Sequence, residues 1–414
     1  MPRRVVISGF GIVSAIGLDE ETVWTNLMAG RTGIRRITAF DPGPYKAANG
    51  AEVDGAALEA ALGARREKGQ AKVVDMALVA ADRALREARL IDPDRALEPQ
   101  PVPVIIGSAN GPASSLNEAI SSFIQKGVRG IRPTLVPQCM VNIIATRLSI
   151  EFKLTGIHYN ISAACTSSAA AMGVAYRMIR DGYADRVLCG GAESVFVPAY
   201  YSAWNNLGIL SSEPDPLRAA RPFDMGRKGF VMGEGAAMLI LEEESSARRR
   251  GVRIRGEICG YGESSDAEHV VRPQIAGQTQ ALRNAMGNSG LAPDEVGLIV
   301  SHGTATPMND RSECAAIKTV FGANTATSPR VSALKSYFGH TIGASGAIEM
   351  VVTLLALERG QIPPNLNLDQ PDPECDVRLM GNGPETLEKP VAVKQSFGFG
   401  GANGVMVMRR WDGA

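Results

Sequence analysis

Cys165 lies between a short β-type run and a stretch of small residues, in the segment N-I-S-A-A-C-T-S-S-A-A-A of residues 160–171. The apolar residues of 169–183 recur at helical spacing, so the cysteine lies close to a predicted helix N-terminus. There the positive end of the helix dipole favours a thiolate, and free backbone N–H groups can bind a developing oxyanion. Because free cysteine is also among the most buried residue types, this segment alone leaves a catalytic and a structural cysteine as equal alternatives.

Two of the four histidines lie in junctions rich in glycine and threonine. His302 follows the apolar run Val296–Val300 in V-S-H-G-T-A-T-P-M-N-D, and His340 lies in K-S-Y-F-G-H-T-I-G-A-S-G. An isolated histidine is more often a core or surface residue than a catalyst. Two of them in such junctions, together with a cysteine at a helix start, favour nucleophilic catalysis assisted by imidazole groups.

Four motifs, in this order along the chain, resemble those of the β-ketoacyl-acyl-carrier-protein synthases. They are S-A-A-C-T-S-S, H-G-T-A-T-P-M-N-D, K-S-Y-F-G-H-T-I-G-A-S-G and the near-terminal S-F-G-F-G-G-A-N. The chain is most similar to the elongating, type II subgroup, which includes the ketosynthases of bacterial polyketide systems. The resemblance implies a decarboxylative condensation of a cysteine-bound acyl group with malonyl-acyl carrier protein, in fatty acid or polyketide synthesis, without a cofactor or a metal.

The resemblance also implies roles for individual residues. Cys165 would carry the acyl thioester, and the backbone N–H groups of Cys165 and Phe399 would bind the oxyanion. His302 and His340 would bind the malonyl thioester carbonyl and stabilise the enolate. The glycines around Phe397 and Phe399 permit close backbone approach and loop motion, whereas the alternative for this loop is an ordinary tight turn.

Charged groups near the histidine motifs match the family as well. Lys335 and Glu349 match a charged pair that orients the histidines, the alternative being a surface lysine and a solvated glutamate. Asp310 and Glu313 either support the site from behind or cap a helix that starts near residue 311.

Four positions are expected to contact substrate. Thr304 and Thr306 match hydroxyl groups that bind the phosphopantetheine amide, and Val271 replaces a threonine of the family. Asn110 takes the place of an isoleucine that often gates the acyl pocket. A buried amide there favours polar, unsaturated or conjugated acyl groups, or a pocket that holds water and takes shorter chains; alternatively, the amide caps the loop of residues 107–112.

The expected macromolecular partner is an acidic acyl carrier protein with a phosphopantetheine arm. Its docking surface should be basic even though the chain has 43 basic and 43 acidic residues. The candidates for this surface are Arg65, Arg66, Lys68, Lys72 and Arg129. The alternative is an ordinary solvated surface, because most runs of charge are no more than that.

A dimer is also expected. Residues 140–152 and 156–161 are too hydrophobic for the surface of a monomer. The family uses this region to continue its sheet across a two-fold axis, so the partner is either a second copy or a ketosynthase-like subunit.

Composition excludes several other classes of protein. The balanced charge argues against nucleic-acid binding, and no apolar run approaches the length of a membrane span. The six cysteines lack C-x-x-C spacing and the first residues lack a signal-peptide pattern, which together indicate a reduced, cytoplasmic compartment.

Periodicity predicts the elements that position these residues. Buried strands are predicted for residues 4–13, 101–107, 229–235 and 236–241, and helices for residues 20–29, 73–88, 114–126, 140–152 and 169–183. Residues 33–63 are predicted to be an irregular surface excursion.

Distant segments resemble one another: 5–11 and 255–262, 162–165 and 332–335, 186–193 and 393–403. A repeat this long indicates a duplicated α/β domain and not a solenoid. The resemblance implies a five-layered αβαβα thiolase-like fold with halves at 1–250 and 251–414, and an active site between them.

Two alternatives of other kinds remain. One is a non-catalytic partner subunit of the chain-length-factor type; such subunits typically lack the cysteine that is present here as Cys165. The other is a non-decarboxylating thiolase, which uses Cys–His–Cys chemistry and is opposed by the two histidines and by the G-F-G-G-A-N ending. The ligand spacing of a metal hydrolase is not found.

Overall fold

The computed structural model describes residues 2–65, 67, 69–92 and 94–413. Its strands are β1 (Val5–Val13), β2 (Arg35–Arg36), β3 (Asn49–Ala51), β4 (Val104–Gly107), β5 (His158–Ile161), β6 (Arg186–Glu193), β7 (Met232–Gly233), β8 (Gly235–Glu243), β9 (Gly256–Ser265), β10 (Val296–Val300), β11 (Arg330–Ser332), β12 (Gln361–Ile362), β13 (Glu385–Thr386), β14 (Val391–Phe397) and β15 (Ala402–Arg410). Its helices are α1 (Glu20–Met28), α2 (Gly55–Leu62), α3 (Lys72–Glu87), α4 (Ala113–Lys126), α5 (Leu135–Gln138), α6 (Ile143–Glu151), α7 (Ser167–Arg180), α8 (Pro198–Leu207), α9 (Glu244–Arg250), α10 (Ile275–Ser289), α11 (Pro307–Phe321), α12 (Lys335–Phe338) and α13 (Ser345–Arg359).

The main sheet consists of two groups of five strands with the same topology. Its order is β11-β10-β14-β15-β9-β1-β8-β6-β4-β5, and β1 pairs with β9 in antiparallel fashion at the centre. When the five strands of each group are numbered in chain order, their order from the centre of the sheet to its edge is first, fifth, fourth, second and third. The first three of these pair antiparallel and the last three pair parallel in both groups. The predicted duplication is therefore confirmed.

Helices cover and separate the two groups of strands. α7 and α13 contact strands of both groups, whereas α3 packs on β1 and β8 and α10 packs on β9 and β15. This arrangement gives the five layers of the predicted thiolase-like fold. The small residues of α7 permit the close central packing: a Cβ at Gly173 would lie 2.3 Å from the Tyr261 ring of β9.

Most of the predicted elements are confirmed to within a few residues, among them β1, β4, α1, α3, α4 and α7. The predicted strand of residues 229–235 shrinks to β7, and the predicted helix of residues 140–152 shrinks to α6. None of the helices in the described ranges is both long enough and apolar enough to cross a membrane.

The prediction for residues 33–63 is wrong. The helix α2 lies in this segment, and Ile37, Ala51 and Val53 are buried. The strand β3 pairs in parallel with β7, which comes much later in the chain. This pairing holds the segment against the rest of the N-terminal half. Short elements held by pairing over such a distance leave no local periodicity in the sequence.

A buried arginine ties the two groups of strands together beside the β1–β9 junction. The Arg255 guanidinium lies 3.0 Å from Glu20 and 2.6 Å from Glu358, and it also contacts Glu87. It lies over the Phe10 ring at 4.5 Å, and only 1% of its side chain is exposed. Glu20 also pairs with Arg359 at 2.9 Å and Glu358 with Arg253 at 3.3 Å. Removal of the buried cation nevertheless leaves a cluster of three carboxylates with less positive charge than it has in the folded protein.

We expect Arg255→Met to lower the free energy of unfolding by about 3–5 kcal/mol, the usual effect of breaking a buried ion pair. Arg253→Ala is the matched control, because Arg253 pairs with the same Glu358 at 3.3 Å but is mostly exposed. This control should lose only about 0–1 kcal/mol. Urea unfolding followed by circular dichroism measures both, and equal losses would contradict the prediction.

Candidate active site

The cysteine lies in a tight turn between β5 and α7. The turn passes through Ala164, which has a φ of 48°, and α7 begins two residues after Cys165. Ser167 stabilises the turn, since its Oγ accepts the Ala163 N–H at 2.9 Å and donates to the Ala164 carbonyl at 2.6 Å. Cys165 is therefore held at the helix start, as the sequence predicts, and its side chain is buried.

His340 contacts the cysteine directly. Its Nε2 lies 3.1 Å from the Cys165 sulfur, while its Nδ1 lies 3.2 Å from the Ile342 backbone nitrogen and 3.0 Å from the Ser345 hydroxyl. Because the Ile342 N–H needs an acceptor, we assign the ring proton of His340 to Nε2. In this tautomer the imidazole donates a hydrogen bond into the site.

His302 lies just past the end of β10 and is held by a lysine. The Lys335 ammonium donates to the His302 carbonyl at 2.5 Å, lies 3.4 Å from His302 Nδ1, and pairs with Glu349 at 2.7 Å. An ammonium offers only donors, so Nδ1 is the acceptor and the His302 proton is also assigned to Nε2. The two imidazole rings lie 5.2 Å apart, centre to centre, at 81°.

Two buried acids of α11 hold the main chain around His302. Glu313 accepts the backbone N–H groups of His302 at 2.5 Å and Gly303 at 2.8 Å, and Asp310 accepts that of Phe223 at 2.9 Å. Neither acid caps a helix. Burial raises the pKa of Glu313 to about 7 and that of Asp310 to about 6.

Burial also keeps the three reacting groups neutral. It raises the pKa of Cys165 to about 11, although Lys335 and the backbone N–H groups of Phe399 and Cys165 lower it. Burial and then the Lys335 charge hold the pKa values of His302 and His340 well below their usual range. The expected thiolate at the helix start is therefore wrong for the resting site, because desolvation of the sulfur outweighs the nearby positive charge.

A glycine-rich turn closes the site from the second half. Phe399 follows the end of β14, and its backbone N–H faces the cysteine together with that of Cys165 itself. A Cβ at Gly398 would lie 3.2 Å from the Cys165 nitrogen, so the turn approaches the cysteine closely. The Phe399 ring stacks on Trp204 with 5.8 Å between ring centres. Two N–H donors beside one sulfur form the geometry of an oxyanion hole.

These groups share an open cleft with about 860 Å³ of free space. Its predicted members are Cys165, His302, His340, Thr304, Thr306, Val271 and Phe399. The Thr304 and Thr306 hydroxyls are 2.8 Å apart, which places two polar groups in a mostly apolar wall. Sequence reasoning missed the aromatic part of that wall, Trp204 and Phe230, since nothing in their local sequence connects them with the cysteine.

Comparisons with known proteins agree with this geometry. The family models for the N-terminal and C-terminal domains of β-ketoacyl synthase match residues 2–247 and 255–369. The chain belongs to the β-ketoacyl synthase family. It is 36% identical to a 3-oxoacyl-(acyl-carrier-protein) synthase 2 of Synechocystis sp., over 99% of each chain. It is thus a condensing enzyme of the acyltransferase type in fatty acid or polyketide synthesis, which confirms the predicted family, fold class and enzyme class.

Solved structures superpose closely on this synthase. The ishigamide ketosynthase/chain length factor gives a TM-score of 0.91 at 31% identity, with 99% of this chain and 100% of that chain covered. A type II PKS acyl-carrier protein in complex with its ketosynthase bound to the hexaketide gives 0.91 at 29% identity, with the same coverage. A condensing enzyme fits these findings better than a non-catalytic subunit or a thiolase does.

Asn110 lies outside the open cleft of the synthase. Its backbone N–H donates to Glu193 at 3.2 Å, next to the Ala109 N–H, which donates to the same carboxylate at 2.7 Å. The Asn110 Nδ2 atom is buried. Burial raises the pKa values of Glu193 and Tyr200, and hydrogen bonding to the Asn110 side chain lowers them. The amide therefore has polar neighbours within the described chain.

The candidate docking residues that the structure describes are not all exposed. Arg65 and Lys72 form ion pairs within the protein, with Asp82, Glu151 and Glu234. Arg129 is exposed. Arg66 and Lys68 lie outside the described residues.

The cysteine and the two histidines are close enough to hold a metal ion, with one donor atom of each within 4.8 Å of the others. The assigned tautomers argue against this use, because both Nδ1 atoms accept hydrogen bonds and both Nε2 atoms carry protons. The set is therefore suited to donating hydrogen bonds to a carbonyl oxygen.

We expect iodoacetamide to alkylate Cys165 about tenfold faster for each pH unit from about pH 6 to about 9.5, because only the thiolate reacts and its pKa is about 11. Mass spectrometry of the Cys165 peptide over time gives the rate. Cys165→Ser, which removes the signal, controls for the assignment of the peptide. A rate that already levels off near neutral pH would show a preformed thiolate and contradict the prediction.

Proposed function

We propose that this synthase takes an acyl group from a carrier thioester onto Cys165 and condenses it with malonyl-acyl carrier protein. The observation that carries the proposal is the 3.1 Å contact between the Cys165 sulfur and His340 Nε2, with His302 beside them in one buried cleft. A nucleophile and two N–H donors around one point are what the two half-reactions need.

In the first half-reaction the Cys165 sulfur attacks the acyl carbonyl of the incoming thioester. The carbon–sulfur bond to the carrier breaks, and the carrier thiol leaves with the proton that Cys165 gives up. The backbone N–H groups of Cys165 and Phe399 stabilise the oxyanion of the tetrahedral intermediate. Because one thiol replaces another, the raised pKa of Cys165 does not oppose the overall exchange.

In the second half-reaction the malonyl group loses CO2, and the electron pair of the broken carbon–carbon bond passes into the thioester as an enolate. The Nε2–H groups of His302 and His340 donate to the enolate oxygen. The enolate carbon then attacks the Cys165 thioester, the carbon–sulfur bond breaks, and the departing Cys165 thiolate takes up a proton from solvent. Lys335 keeps His302 in the required tautomer, and Glu349 holds Lys335.

The cleft also supports an assignment for the phosphopantetheine arm. Thr304 and Thr306 present hydroxyls to its amide groups, whereas Val271 supplies only apolar contact where the family has a hydroxyl. Asn110 stays a proposed determinant of the acyl group, since a half-buried amide that meets an acyl chain needs polar partners there. Polar or conjugated acyl chains supply such partners better than saturated ones.

Acyl carrier protein is the proposed partner, supported by the solved complex of a similar ketosynthase with its carrier. Arg65, Arg66, Lys68, Lys72 and Arg129 stay the proposed docking residues. The six free thiols support a reduced, cytoplasmic location. The identical topology of the two strand groups supports a division into halves at 1–250 and 251–414.

We further propose a dimer, with a second copy as the first choice and a ketosynthase-like subunit as the alternative. One face of the described monomer exposes an unusual number of large apolar side chains, on α4, around α6 and on β5: Leu116, Ile120, Phe123, Ile124, Met140, Val141, Ile150, Ile157 and Tyr159. The strand β5 is also the open edge of the main sheet. Monomers rarely leave such an edge and such a patch uncovered.

We expect Cys165→Ala to fold normally and to lose condensation, because no other group in the cleft can carry the acyl chain. Cys165→Gln should still release CO2 from malonyl-acyl carrier protein, since the histidines handle the enolate. His340→Ala in the Cys165→Gln protein is the control and should lose that release. Condensation by the alanine variant, or no CO2 from a well-folded glutamine variant, would overturn these assignments.

We expect light scattering at micromolar concentration to give twice the chain mass of 43.8 kDa. Phe123→Glu should weaken the dimer, because it places a charge in the apolar face. Leu217→Glu is the matched control, since Leu217 is at least as exposed as Phe123 but lies outside that face. A monomeric mass for the unmodified protein would refute the dimer.

A further inference from the structure

A second buried lysine lies on the far side of Glu349 from Lys335. Lys394 of β14 places its Nζ 2.8 Å from Glu349 Oε2, while Lys335 lies 2.7 Å from Oε1. All three side chains are at most 3% exposed. Lys394 also donates to the Ser396 hydroxyl at 3.2 Å and to the Gln395 carbonyl. One carboxylate is thus held between two ammonium groups, directly behind the histidines.

Two buried lysines pair with the one carboxylate of Glu349. Burial lowers the pKa of Lys394, whereas Glu349 and Glu313 raise it. Glu313 also accepts the backbone N–H groups of His302 and Gly303. Burying a second lysine at one carboxylate is expensive, so its presence beside a reaction that develops negative charge calls for a functional explanation.

Both lysines act on both imidazoles. Burial is the main cause of the low pKa values of His302 and His340, and Lys335 and Lys394 each lower them further, which keeps the rings neutral. A neutral ring keeps Nδ1 as an acceptor for Lys335 or for the Ile342 N–H, and this in turn keeps Nε2–H directed at the substrate. A proton on His302 Nδ1 would lie against the Lys335 ammonium and break that arrangement.

We propose that Lys394 is a positioning residue for decarboxylation: it fixes Glu349 from the side opposite Lys335 and adds positive charge that favours an enolate between His302 and His340. This inference rests on the proposed role of the two histidines. Lys394 itself does not touch substrate, since it does not belong to the cleft wall. It acts through Glu349 and through its electric field.

The test uses the Cys165→Gln protein, which isolates decarboxylation from acyl transfer. Into it we introduce Lys394→Met, and separately Lys394→Gln, which keeps a hydrogen-bonding group without the charge. CO2 release from malonyl-acyl carrier protein is measured against pH. Lys318→Met is the matched control, because Lys318 pairs with an acid, Asp376, at 2.7 Å but lies at the protein surface.

Both Lys394 variants should lower kcat on the order of tenfold with little change in KM, since binding does not involve Lys394. The acid limb of the pH profile should move to higher pH, because the imidazoles take up protons more readily once a neighbouring cation is gone. Lys318→Met should leave both unchanged. A merely structural role would reduce the amount of folded enzyme without moving the acid limb.

An unchanged kcat and acid limb in either folded variant would overturn the role of Lys394, and the glutamine variant decides the matter if the methionine variant does not fold. Failure of the Cys165→Gln parent to release CO2 would be a different result. It would overturn the proposed function itself, and this inference with it.

Discussion

The N-terminal ends of α7 and α13 meet at the centre of the molecule, and the geometry of the site depends on that contact. The Ser168 hydroxyl at the start of α7 accepts the Ala347 N–H at the start of α13 at 3.0 Å, and Gly346 leaves room for it. Glu193 reinforces the junction, since it accepts the N–H groups of Ala109 in the first half and Gly343 in the second. The nucleophile and the histidines come from different halves, so a shift of one helix end would separate them.

The duplication explains how one architecture supplies two kinds of chemistry. The turn after β5 delivers Cys165, and the corresponding turn after β11 delivers Lys335, because the segments at 162–165 and 332–335 occupy equivalent places in the two strand groups. In the first copy the turn carries a nucleophile, and in the second it carries the cation that holds His302. The fold therefore brings both turns to one cleft and leaves their chemistry to the side chains.

Burial decides which groups of the site carry a charge. Desolvation keeps the thiol and both imidazoles neutral, while the carboxylate of Glu349 and its two lysines hold the charge behind them. Hydrogen bonds and electric fields are stronger in such a buried site than in water. A negative charge that develops on a thioester oxygen there meets preorganised donors. A carboxylate on the substrate side of the imidazoles would oppose the same step, and Glu313 avoids this by binding backbone N–H groups on the other side.

The sequence alone determined the family and the duplicated α/β architecture. It also identified Cys165, His302, His340 and Lys335 as candidate site residues, because their motifs are local and specific. It also determined the long amphipathic helices, whose periodicity is carried by neighbouring residues. Only the tertiary structure decided what depends on distant contacts: the protonation of Cys165, the aromatic wall at Trp204, the partial burial of residues 33–63 and the second lysine at Glu349. A pKa follows from the atoms that surround a group in space, and Lys394 lies 45 residues from Glu349 in the chain yet 2.8 Å away in the fold.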